Sequence, residues 1–167
     1  ANGNPTVALC PLKVFQFNTE GGSDCWGWRD ASGTEYAIMG TLDGVAFVNT
    51  STWTVVKVVP GPQGSICGGA YWRDIKTYQH YCYVSSECTG TNQGIMIIDL
   101  QYLPDSVHYI KSFAPAGDIR SHNISIDTVK GFLYAVRQNY SGFRAISLAS
   151  PANPVEVFTT VTGDLHD

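Results

Sequence analysis

Two stretches at opposite ends of the chain repeat one another. "PLKVFQFNTEGGSD" (residues 11–24) and "PVEVFTTVTGDLHD" (residues 154–167) both open on Pro, carry Val-Phe at the same offset and close on Asp. Two further copies of the closing position lie between them. "YWRDIKTY" places Asp74 there and "RSHNISID" places Asn123. The four equivalent positions, Asp24, Asp74, Asn123 and Asp167, are spaced by 50, 49 and 44 residues. Self-similarity at such a period means stacked units, each burying its faces against its neighbours.

Every unit offers three more strand-like runs after the one that carries the Asp or Asn. The second is "EYAIMG", "HYCYVS" or "FLYAVR". The third opens on Gly, as "GVAFVN", "GIMIIDL" or "GFRAISL", and the fourth is "TVVKVVP", "VHYIKSFAP" or "VEVFTTV". These runs alternate or are wholly apolar and are bounded by Gly, Pro, Asn or Ser, which reads as strands. Helix is expected for at most a turn or two, around "LQYLPDS". Four short antiparallel strands per 40–50 residues is the period of a β-propeller blade. The expected fold is therefore all-β, a propeller segment of four-stranded antiparallel blades, with a β-sandwich as the alternative. Residues 11–23 read as the outer strand of a preceding blade, 24–60, 74–115 and 122–163 as three blades, and 164–167 as the start of the next. Three blades do not close a ring, since propellers have roughly four to eight. The expectation is a partial propeller, completed by further repeats of the same protein or by other copies.

Charged residues make up 14% of the 167-residue chain, against roughly 25% in typical soluble proteins. The net charge is −4 and the ten Lys and Arg are scattered. With no basic stripe, nucleic acid is not an expected partner. The apolar runs are strand-length, so none is a membrane-spanning segment. No GxSxG, HExxH, P-loop or GxGxxG pattern occurs.

Several longer motifs follow one another in order: "SDCWGWRDASGTEYAIMGTLDGVAFVNTS", "YWRDIKTYQHYCYVSSE", "GIMIIDL", "SHNISIDTVKGFLYAV", "SLASPANPVEVF" and the closing "LHD". In these the chain, from about Asp24 to Asp167, resembles the LVIVD-repeat proteins, and within them the group called choice-of-anchor B. The resemblance implies an extracellular or cell-surface β-propeller, with more repeats following the "HD" motif.

In a propeller the first strand of each blade lines the central channel. Asp24, Asp74, Asn123 and Asp167 would then stand near one channel mouth, preceded by Ser23, Arg73, His122 and His166. Aromatics flank them at Trp26, Trp28, Tyr71 and Trp72. Such a set suits a small polar ligand or a cation. Its oxygens suit Ca²⁺ or another hard divalent ion, while its two His favour a transition metal. The structural alternative has these side chains bonding neighbouring main-chain N–H groups and tying blade to blade, with Arg73 paired to Asp74 or another Asp.

Five cysteines, Cys10, Cys25, Cys67, Cys82 and Cys88, form no CxxC pair and read as structural. Cys82 with Cys88, and Cys25 with Cys67, are the candidate disulfides. N-x-S/T sequons occur at Asn49, Asn123 and Asn139. Asn123 falls inside an inner strand, which leaves Asn49 and Asn139 as glycan candidates. Cysteines and sequons together point to an oxidising, extracellular compartment. The functional expectation is a secreted or cell-surface binding or structural module, self-assembling or part of a larger assembly. The alternative is a metal-assisted propeller enzyme using His122, His166, Asp74 and Asp167.

Overall fold

The computed structural model describes residues 13–15, 17, 21–62, 72–114, 120–137 and 142–161. Within them the protein is all-β, with twelve strands in three four-stranded antiparallel sheets. The first sheet holds β1 (Gly22–Arg29), β2 (Glu35–Thr41), β3 (Gly44–Asn49) and β4 (Thr54–Pro60). The second holds β5 (Arg73–Tyr78), β6 (Tyr81–Ser86), β7 (Ile95–Asp99) and β8 (His108–Phe113). The third holds β9 (Ser121–Asp127), β10 (Phe132–Arg137), β11 (Phe143–Ser147) and β12 (Val155–Thr159). Each sheet is a meander in chain order, and the four runs expected of each unit are its four strands.

No helix forms at "LQYLPDS". Residues 101–105 are a succession of turns that closes on Asp99. The Asp99 carboxylate accepts the Gln101 N–H at 2.9 Å and the Gln101 side-chain amide at 2.8 Å. Local side-chain to main-chain bonding of this kind competes with a helical start. No helix among the described residues is long and apolar enough to cross a membrane.

The apolar third runs of the first two units, β3 and β7, are interior strands buried along their whole length. In β7, Ile95 and Ile97 face the third sheet while Met96 and Ile98 face the first. Two cores result. One, between the first and second sheets, joins Ile38, Val45, Phe47 and Val59 to Ile75, Cys82, Val84, Met96 and Ile98. The other, between the second and third, joins Tyr83, Ile95 and Ile97 to Ile124, Leu133, Ala135, Ile146 and Leu148. At roughly 1.5–3 kcal/mol for each fully buried large aliphatic side chain, stacking is the main stabilising term.

The Gly that opens a third strand is required by the fourth. A Cβ on Gly44 would lie 2.0 Å from the Val59 carbonyl oxygen, and one on Gly142 would lie 2.2 Å from that of Thr160. The outer strand ends against a bare backbone, which is why the residue recurs at the same place in each unit.

Candidate functional site

The first strands of the three sheets lie side by side, β5 against β1 and β2, and β9 against β5 and β6. This brings the aligned acidic positions into one ladder. Asp24 Oδ2 accepts the N–H of Ile75 at 2.7 Å. Asp74 Oδ2 accepts the N–H of Ile124 at 2.6 Å, one repeat further on. Each carboxylate therefore binds the residue that follows the equivalent position of the next sheet. Charge-assisted bonds to main-chain N–H groups are among the stronger hydrogen bonds.

Lys76 sits between the two carboxylates. Its ammonium donates to Asp74 Oδ1, lies 3.8 Å from Asp24 Oδ2 and caps the Ile75 carbonyl at 3.1 Å. It also lies 4.7 Å above the Trp26 ring, a cation–π geometry. Trp26 in turn donates its indole N–H to Thr77 Oγ1 at 3.0 Å, and Trp28 donates its own to the Gln79 carbonyl at 3.0 Å. Burial pushes the Asp74 carboxyl above its ordinary value and the neighbouring Asp24 adds to the rise, against the pull of Lys76 and the Ile124 N–H. Loss of hydration on burial is the main cause, and one ammonium shared between two carboxylates does not offset it.

The residues one position earlier point the other way, because strand side chains alternate. Arg73 is buried and reaches back into the first sheet. It donates to the carbonyls of Thr41, Leu42 and Pro62 at 2.9, 3.0 and 3.0 Å, and to Ser86 Oγ at 3.4 Å. Its hydrogen-bond partners are three carbonyls and a hydroxyl, and the carboxylate whose charge acts on it is Asp43, so of the two expected pairings it is the one with another Asp, not with Asp74, that the structure favours. Burial draws its guanidinium down to about 10, with Asp43 opposing. His122 likewise reaches back, Nδ1 lying 2.9 Å from Glu87 Oε1, while Ser85 Oγ donates to the His122 carbonyl at 3.1 Å. The candidate set is thus split by strand alternation. Asp24, Asp74 and Asn123 line one side, and Arg73 and His122 clamp the preceding sheet. His166, Asp167 and Tyr71 lie outside the described residues.

Asn123 lines a cleft of about 610 Å³ on the outward side of the third sheet, with Asp74, Lys76, Ser125, Tyr134 and Phe143. The polar end of this cleft belongs to the ladder and the rest is aromatic and aliphatic. Among the described residues, no three His, Cys, Asp or Glu side chains are grouped so as to hold a metal ion.

Cys25 and Cys82 are free thiols, which removes both candidate disulfides. Cys82 faces the core between the first two sheets, where burial pushes its thiol up. It lies near the start of β6, whereas Cys88 follows the far end of that strand, beyond the roughly 7 Å that a disulfide spans between Cα atoms. Cys25 is exposed, on the face of β1 turned away from the second sheet, opposite Met39. Cys88 is disulfide-bonded, to a partner outside the described residues. Asn49 is buried at the end of β3 and its Oδ1 accepts the N–H groups of Ser51 and Thr52 at 2.9 and 3.1 Å. A glycan on its amide nitrogen would have to leave through that turn. Asn139, like Cys10 and Cys67, lies outside the described residues.

Sequence reasoning missed Lys76, Glu87 and the aromatic side of the cleft. Lys76 was legible, since it stands two residues after Asp74 and so on the same side of β5. Glu87 was not, because it stands in the connection between β6 and β7, outside the strand runs that carry the repeat. No protein-family model, no curated protein and no solved structure matches the chain.

Proposed function

We propose that the chain is a propeller-type binding and structural module of an extracellular assembly, in keeping with its resemblance to the LVIVD-repeat proteins. Its partner surface is the outward face of the third sheet. One observation carries the reading. The same face is covered by a following sheet in the first and second units, yet in the third it presents large apolar side chains to solvent. Tyr134 is 38% exposed where its counterparts Ile38 and Tyr83 are wholly buried, and Phe158, in line with it across Ala145, is 53% exposed. Contiguous exposed apolar surface of this kind marks an interaction site.

The position of Phe158 supports it. Its counterparts in β4 and β8 are Lys57 and Lys111, which reach the next sheet's third connection. Lys57 Nζ donates to the Val107 carbonyl at 3.1 Å and Lys111 Nζ to Asn153 Oδ1 at 2.6 Å. The third sheet carries an aromatic ring at that place.

Binding through a sheet face is proposed ahead of metal-assisted hydrolysis because of the ladder. A Ca²⁺ ion or small ligand at Asp24 and Asp74 would compete with Lys76 and two main-chain N–H groups.

The test is the double variant Tyr134→Glu, Phe158→Glu in dilute solution. A surface reserved for a partner accepts both charges with a stability change within about 0.5 kcal/mol by urea unfolding. The wild-type chain should then bind an apolar fluorescent dye that the variant does not. A loss of about 2–5 kcal/mol, the size seen for core positions, would mean that these rings are internal packing and would end the reading.

A further inference from the structure

We infer that the occupant of this outward face is the first sheet of a second copy of the same chain. The inference rests on the reading of the face as a partner surface and names the partner. Inside the chain, a sheet is covered on this side by the first strand of the following one, set against its own first two strands. β5 lies on β1 and β2, and β9 on β5 and β6. The strands left to receive such a neighbour are β9 and β10. The first sheet is the one of the three whose opposite face takes no other of the three sheets, so among the described strands β1 is the one placed to meet such a face.

The shapes correspond. On that opposite face the second sheet carries Thr77 across from Cys82, and the third carries Ile126 across from Leu133. At the same place the first sheet carries Gly27 across from Ala37. A Cβ at Gly27 would meet nothing within 4 Å, and a hollow of about 410 Å³ opens there, rimmed by Arg29 and Glu35. Within the chain, Tyr83 enters the core against the third sheet, and its counterpart facing outward is Tyr134. A hollow floored by Gly and Ala suits a Tyr ring. Ala46 and Val48, further along the first sheet, are already buried. The contact is therefore confined to the β1–β2 half, which is the half that internal stacking brings against the inner strands.

The ladder extends across the contact in the same register. Asn123 stands at the position of Asp24 and Asp74, and the main-chain group it would face is Cys25 of the second copy. If both faces of each copy engage, the described sheets of two copies number six, within the roughly four to eight blades that propellers use. A head-to-tail contact closes in this way when its rotation allows.

Sedimentation equilibrium over a concentration series tests it. The expected result is a species of twice the chain mass. Tyr134→Glu should weaken association roughly thirtyfold or more, as for a central aromatic anchor, and Gly27→Trp, which fills the hollow, should weaken it about tenfold. Under mild oxidation Asn123→Cys should trap the dimer through Cys25, and adding Cys25→Ser should abolish the trap. A dimer indifferent to Tyr134→Glu and Gly27→Trp uses another surface and overturns the inference. So does a monomer at every concentration. A monomer that still binds apolar dye through Tyr134 and Phe158 leaves the partner surface standing, with a sheet of other polypeptide as its occupant. A monomer that binds none ends both.

Discussion

An aspartate at the start of an inner strand does two separable things in this protein. Its oxygen accepts a main-chain N–H of the next sheet, and its charge answers Lys76. Asn123, at the same position in the third unit, keeps the oxygen without the charge, so substitution can separate the two. Asp74→Asn retains an acceptor for the Ile124 N–H, whereas Asp74→Ala leaves that buried donor unsatisfied. The alanine variant is expected to lose about 1–3 kcal/mol in urea unfolding and the asparagine variant much less. Their pH dependence differs too. The Asp74 carboxyl is raised in the folded state, so the fold holds this proton more tightly than the unfolded chain does. The resulting stabilisation is complete below the ordinary carboxylate value of 3.8 and is lost as pH rises through the folded value. Asp74→Asn removes that loss. Its stability relative to wild type should therefore improve as pH is raised through the acidic range, and an unchanged difference from acid to neutral pH would contradict the assignment. Arg73 gives a second test. Its planar fork meets three carbonyls that a single ammonium cannot reach together, so Arg73→Lys should cost about 1.5–3 kcal/mol by thermal or urea unfolding, despite the retained charge.

At the level of the strand, periodicity made most of the fold legible. The runs "GVAFVN", "TVVKVVP" and "FLYAVR" coincide with β3, β4 and β10 residue for residue. Their information is local, an apolar pattern between breakers, and it survives folding because neighbouring sheets supply the burial the pattern asks for. The turns at residues 101–105 were less legible, because "LQYLPDS" has helix-compatible residues and its conformation is decided by the Asp99 carboxylate. The cysteine pairings failed for a related reason. Closeness in sequence brings Cys82 and Cys88 near one strand, but the strand's length holds them apart. Burial on both faces sets the strands' unequal weight. Ile97→Ala in β7 should cost about 2–5 kcal/mol, while Val155→Ala at the exposed edge in β12 should stay within about 0.5 kcal/mol. Gly44→Ala should cost more than about 1 kcal/mol, since the added methyl meets the end of β4 rather than solvent. Matching urea midpoints for Ile97→Ala and Val155→Ala would show that stacking does not set the stability of these strands.

Across the whole molecule, the stacking of sheets makes stability unequal along the chain. The candidate site was legible as a ladder, because a ladder needs only the repeat. Its division into a side facing the next sheet and a side clamping the previous one was not, because that depends on which sheet covers which face. The same asymmetry orders local opening. The second sheet is covered by a neighbour on each side, and Tyr83, Val84, Met96 and Ile97 are wholly buried. The third sheet is covered on one side and ends in β12, whose Val155, Val157 and Phe158 are exposed. In stacked repeat proteins the stability of a unit is about its own contribution plus those of its interfaces, so a unit with one interface opens before a unit with two. Native-state hydrogen exchange in dilute solution should therefore find the amides of β6 and β7 exchanging only through global unfolding. Those of β11 and β12 should exchange through a lower-energy opening that leaves the second sheet intact. Adding a little denaturant separates the two, since global unfolding responds steeply and partial opening weakly. Tyr83→Phe sharpens the result. The Tyr83 hydroxyl donates to the Pro151 carbonyl at 2.9 Å, tying the second sheet to the connection between β11 and β12. Its loss should speed exchange in β11 and β12 several-fold and leave β6 and β7 changed only by the small drop in global stability. Equal protection in all three sheets, or equal acceleration by Tyr83→Phe, would mean that the sheets unfold as one unit and that their interfaces do not set the order.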